Sequence, residues 1–294
     1  MKKRWLLFVV SCTLLLAACG NESVEEKVAA EETADTTTIV AGTMVVADIL
    51  DKLEIESVVG VPTSTVELPA RYDDAEEIGN AMDPDMEIVK SLNPDVFISV
   101  TTLEYDLKPI VENINVAGRY LDLQGIKQMQ QSILALGKDF GREAQAKKLV
   151  ASFETKLAAL KEQTANKKKP KVLAVLGVPG SYLVATEHSY IGSLIEAAGG
   201  ENAIQGPSEE YLASNTEYLQ QSKPDIILRM AHGMPKEVMA MFDKEFKTNT
   251  VWQHFDAVKQ GRVYNLEEPI FQTTANLQLG DALDELYRIF YEEQ

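Results

Sequence analysis

The sequence predicts an α/β protein: two Rossmann-like lobes joined by one long α-helix, with a ligand cleft between the lobes. Three observations carry this. Short Val- and Ile-rich runs alternate with helical stretches in both halves of the chain. One long helical pattern, from Arg142 to Lys167, separates the halves. A matched element, in which Glu begins a short helix, Pro ends it and Asp opens an apolar strand, occurs once in each half: Glu87 to Asp95 and Glu217 to Asp225.

The chain opens on a secretory pattern. Lys2, Lys3 and Arg4 precede an apolar run from Trp5 to Leu16, then small residues and Cys19. The run is shorter than the ~20 residues that span a bilayer, so residues 1–18 read as a signal peptide. Leu16-Ala17-Ala18-Cys19 is similar to a bacterial lipobox. That similarity implies a diacylglycerol on Cys19 and a place on the outer face of the cell membrane. Residues 19–37 are Glu-, Ala- and Thr-rich with almost no large apolar side chain, a composition that cannot bury enough surface to fold; they read as a spacer. Cys12 and Cys19 are the two cysteines of the sequence, so a domain beyond the spacer has no disulfide, thiolate metal site or catalytic thiol.

The first lobe, residues 38–141, starts with the strand Thr38 to Gly42. Thr43 caps a helix that runs to Leu53. Val58 to Val61 is a second strand, Pro62 to Thr65 a turn, Asp95 to Val100 a third strand and Val116 to Leu121 a fourth. Strands alternating with helices suggest a parallel sheet. Leu149, Phe153, Leu157 and Leu160 recur at helical spacing, and Pro170 ends the pattern, so 142–168 is the connecting helix. The second lobe, 169–294, holds the strand Val172 to Leu176, the helix Ile191 to Ala198 stopped by Gly199-Gly200, the strand Asp225 to Arg229 and a final helix from Leu279 to Phe290.

Composition bounds the function. The formal charge is −17, from 28 Lys+Arg against 45 Asp+Glu, and signal removal takes away three cations. Such a chain repels nucleic acid and anionic lipid. No Gly-x-Ser-x-Gly elbow, phosphate-binding loop, Gly-x-Gly-x-x-Gly or His-Glu-x-x-His is present, so no enzyme is expected. His188, His232 and His254 are widely spaced; a zinc site made from them would define a metalloenzyme alternative, which the spacing does not support.

Two residues stand out. His232 follows a parallel strand directly, where ligands of open α/β sheets bind. Met82 lies in the loop Gly79 to Pro84, before the Glu87 helix, with Asp83 or Asp85 placed to cap it. Taken singly, one reads as a surface histidine and the other as a packing methionine. Taken together, on facing lobes, a thioether and an imidazole make a fitting axial pair for a haem iron.

The segments Glu77 to Pro84, Gly177 to Thr186, Ser189 to Gly192 and Asp225 to Pro235 resemble the cobalamin- and siderophore-type substrate-binding proteins of ABC importers. Within that family they resemble most the haem-binding lipoproteins of the Gram-positive iron-regulated surface determinant system. The resemblance covers nearly all of the chain after the spacer. It implies a monomer that takes one haem b from surface donor proteins and passes it to a two-subunit permease. It implies Met82 and His232 as axial iron ligands, and propionate contacts at Met44, Val45, Ser64 and Thr65. It implies permease docking through Glu87 and Glu217. Thr65 stands where the family pattern has Tyr, and His188, read as a surface residue, where it has Lys. A siderophore or cobalamin binder of the same fold is the alternative.

Overall fold

The computed structural model describes residues 37–64, 67–214, 219 and 221–293. The leader, Cys19, most of the spacer, Thr65 and Glu217 lie outside the described residues.

The first sheet takes β1 (Ile39–Ala41), β2 (Val58–Val61), β3 (Glu76–Glu77), β6 (Val96–Val100) and β7 (Ala117–Leu121) in the order β3-β2-β1-β6-β7, every pair parallel. Alternation sends successive residues to opposite faces. Ile39, Ala41 and Ile98 join the central core, while Val40 and Phe97 join an outer cluster with Leu107 and Val111. Helix α1 (Met44–Lys52) follows β1 and buries Val46, Ile49 and Leu50 against the central core. Helix α2 (Met86–Leu92) precedes β6, and helix α3 (Thr101–Asn113) links β6 to β7. Between β3 and α2 lies a feature beyond the expected loop, a small antiparallel ribbon of β4 (Gly79–Asn80) and β5 (Asp83–Pro84).

The second sheet is mixed, unlike the first. β8 (Lys171–Val178) turns back into β9 (Ser181–Ala185), which pairs antiparallel with β8 and with β11 (Tyr211–Ala213). On its other side β8 pairs parallel with β12 (Ile226–Ala231), and β12 with β13 (Val263–Leu266); β10 (Glu201–Asn202) adds a short parallel pair with β8. The tight Pro179-Gly180 turn requires the antiparallel pairing, since a parallel neighbour needs a crossover.

Helical sequence after β7 divides into α4 (Ile126–Asp139) and α5 (Glu143–Thr164), broken at Gly141. At 22 residues, α5 is about 33 Å long. Its first turn meets the first lobe, where Gln145 Nε2 donates to Glu54 Oε2 at 3.0 Å. Lys156 pairs with Asp284 of α10 (Leu279–Tyr291), and past the helix end Lys167 lies over the Tyr287 and Tyr291 rings. One core cluster runs through both lobes. It takes in Ile39 and Ile98, Phe153 and Leu160 of α5, Leu194 of α6 (Tyr190–Ala197) and Leu286 of α10.

A second seam joins the lobes at the end of β7. The Ala275 amide donates to the Leu123 carbonyl at 2.8 Å, and Gln124 Nε2 donates to Glu210 Oε1 at 2.5 Å. Burial, then the nearby Asp122 carboxylate, push the Glu210 carboxyl above its ordinary range, and the Gln124 bond only partly offsets them. A carboxyl raised in the folded state favours folding below its unfolded pKa, and that advantage is lost as pH rises through its folded value. Glu210→Gln should therefore raise Tm at pH 7, by about 1–2 °C because the group is half solvated, and the gain should vanish at pH 4. Thermal melts at the two pH values check this.

A candidate ligand cleft between the lobes

Ligand sites of parallel sheets lie beyond the carboxyl ends of their strands. In the first lobe two such ends carry predicted residues. After β1, Thr43 Oγ1 accepts from the Val46 amide at 3.3 Å. The cap satisfies Val46 and leaves the Met44 and Val45 amides in the first turn, where the helix itself supplies no acceptor. After β2, Ser64 is exposed, and Thr63 donates through its amide to the Gly79 carbonyl (2.9 Å) and through its hydroxyl to Glu77 Oε2 (2.9 Å).

Met82 occupies the tip of the β4–β5 ribbon and is 63% exposed. The tip is held from three sides. Asn80 Oδ1 accepts from the Met82 amide at 2.8 Å. The Thr63 bond ties Gly79 to the β2 loop, and the Asp85 amide donates to the Ile78 carbonyl at 2.7 Å. Asp85 also settles the capping alternative, since its Oδ1 accepts from the amides of Glu87 and Ile88. Glu87 is exposed in the first turn of α2, while Met86 packs against the outer core cluster. An exposed methionine on so well-anchored a tip serves no core.

In the second lobe, the His232 amide donates to the Gly177 carbonyl at 2.9 Å, the last rung between β12 and β8, and its side chain is exposed. Only Gly233 and Met234 separate it from α7 (Pro235–Thr248). Both have positive φ, +70° and +43°. For Met234 that conformation costs about 1 kcal/mol or more, and its side chain is 55% exposed. The strain comes from turning a strand into a helix within two residues. Close packing enforces it: a Cβ on Gly177 would come within 2.3 Å of Val238 and 2.7 Å of Phe242, both on α7.

Arg229 sets the same turn from below. Its side chain is buried, Nε donates to Asn265 Oδ1 on β13 at 2.8 Å, and Nη2 donates to Asp243 Oδ1 on α7 at 3.0 Å. The guanidinium also lies against the Phe242 and Phe246 rings. One cation thus fixes β12 to α7 on either side of His232. Sequence reading passed over both Arg229 and Met234. The signal for Arg229 was a lone cation inside an apolar strand, and for Met234 a second loop methionine two residues from the histidine.

The other histidines do not gather here. His188 is exposed beyond the far end of β9, where Val184 lies level with Val175, whereas Ala231, next to His232, lies level with Gly177. His254 ends helix α8 (Thr250–His254), beside Pro224 and Asp225 at the opposite end of β12. Among the described residues no three His, Cys, Asp or Glu side chains are grouped to hold a metal ion.

Residues 39–269 match the periplasmic binding protein family model. The chain is 44% identical over 292 residues to the high-affinity heme uptake system protein IsdE of Staphylococcus aureus strain Newman, covering 99% of this chain and 98% of that protein. It superimposes with a TM-score of 0.83 on the crystal structure of S. aureus IsdE complexed with heme, at 47% identity over 87% of this chain and 99% of that one. An ABC transporter substrate-binding protein from Listeria monocytogenes EGD-e gives the same TM-score and coverage at 50% identity. With two α/β lobes and a single linking helix, this chain belongs to the periplasmic binding protein family, whose members bind rather than transform their ligands.

Proposed function

We propose that this protein binds one haem between its lobes and delivers it to an ABC importer. The observation that carries the reading is the pair of solvent-exposed ligand-type side chains, Met82 on an anchored tip of one lobe and His232 at the strand end of the other. Neither is explained by packing. The likeness to IsdE supports the choice of haem over other iron compounds. In this reading Met82 sulfur and a ring nitrogen of His232 take the two axial positions, which leaves the iron no open site for oxygen chemistry. The propionates go to the Met44 and Val45 amides, where a helix N-terminus favours carboxylates, and to Ser64 and Thr65.

His232→Ala should shift the absorption spectrum of the loaded protein toward high spin. It should weaken haem binding by more than the ~10–100-fold that follows loss of a supporting partner alone. Met82→Ala should weaken binding less, because a thioether is the weaker donor. Wild-type spectra and affinity in both variants would overturn the assignment.

The lipid on Cys19 holds the protein at the membrane surface. Fractionation of cells making Cys19→Ala should find the protein released or unprocessed; full retention in the membrane would contradict the anchor.

Delivery requires docking. Glu87 is exposed near the start of a helix beside the Met82 tip, and Glu217 occupies the matching place in the second lobe's sequence element. Each reaches a basic group on one permease subunit. Exposed ion pairs contribute ~0–1 kcal/mol each, so single changes should show little. The double variant Glu87→Ala with Glu217→Ala should keep its haem spectrum and lose most haem uptake by whole cells. Normal uptake would leave Glu87 as a helix-terminal charge only.

A further inference from the structure

Away from the cleft, a groove of about 660 Å³ lies where α4, α5 and α6 meet, so that its walls come from both lobes and the helix between them. Its volume is within the ~300–1,000 Å³ of small-molecule sites. Its apolar lining is Ile126, Leu157, Ala165 and Ala197. Three exposed ammonium groups, Lys127, Lys161 and Lys169, stand around it with a single carboxylate, Glu196. None of the three lysines makes an ion pair among the described residues. On a chain of formal charge −17, a locally cationic apolar groove runs against the average. Gln130, which also lines it, has a buried side-chain amide nitrogen without a hydrogen-bond acceptor among the described residues. The lining thus sets three cations against one carboxylate, a net positive charge beside an apolar surface.

We propose that this groove binds a single-chain anionic amphiphile, its alkyl chain on the apolar lining and its head among Lys127, Lys161 and Lys169. Haem, also an apolar body with carboxylates, does not fit, because the lining holds no His, Met, Tyr or Cys to ligate iron. A fatty acid and a lysophospholipid share the required chemistry and differ in the head. An occupant touches both lobes and α5 together, so it stabilises their relative placement.

The test uses the purified, delipidated mature protein, with palmitate, lysophosphatidylglycerol and uncharged hexadecanol as probes in native mass spectrometry and calorimetric titration. Palmitate or lysophosphatidylglycerol should bind one per chain and raise Tm, and hexadecanol should bind about tenfold more weakly or not at all. Which anion binds tighter identifies the head. Lys127→Gln, Lys161→Gln and Lys169→Gln combined should weaken the anion by about tenfold or more while leaving the haem spectrum and affinity as in the wild type. Failure of both anions to bind, equal binding of hexadecanol, undiminished binding by the triple variant, or altered haem binding in it would each overturn the proposal. The haem arm is read separately, so a protein that takes no haem can still hold the amphiphile.

Discussion

The arrangement depends on one packed rod. Helix α5 buries Val150, Phe153 and Leu160 in a core shared by both lobes, so neither lobe completes its interior alone. Apolar burial contributes roughly 25 cal/mol per Å², and it is spread along the inner surfaces of both sheets. Two lobes pinned to one helix cannot swing as they would on a pair of flexible strands. The second seam, from Leu123 and Gln124 to Ala275 and Glu210, limits rotation further. The relative placement of the lobes is therefore set by packing.

On that frame, the two proposed ligand residues sit on main chain that is itself hydrogen-bonded. The amide bond from His232 to the Gly177 carbonyl continues the sheet ladder, and the Met82 tip is an antiparallel ribbon locked to its neighbours through Thr63, Asn80 and Asp85. Both side chains are left exposed by anchored main chain. That is the condition for a preorganised binder, since ordering the groups at the moment of binding would subtract from affinity.

Much of this was legible in the sequence, and the exceptions have physical reasons. Strands such as Val96–Val100 and Ile226–Ala231 declare themselves because both faces are buried, and helices α1, α5 and α10 because their apolar spacing is regular. Helix α3 was not recognised: Pro109 sits inside it, and Tyr105 and Ile110 are exposed apolar residues on its outer face. The mixed second sheet was hidden because Val178 to Ser181 reads as a loop until the antiparallel return of β9 is seen. At the cleft, the positions of Met82 and His232 followed from local grammar, a turn before a helix and a residue after a strand. The Arg229 clamp did not, since Asn265, Asp243, Phe242 and Phe246 are separated from it by 13 to 36 positions and meet it only in the fold. Charge shows the same limit, because composition gives the average while the lysine-rimmed groove is a property of the surface.

The two-residue link between His232 and α7 also restricts how a lineage of such proteins can diversify. Gly233 and Met234 already use left-handed backbone to make the turn, and Gly177 leaves no space behind it. Inserting or deleting a residue there would rotate the start of α7 off the sheet. New preferences at this end must therefore arise by exchanging side chains on a loop of fixed length.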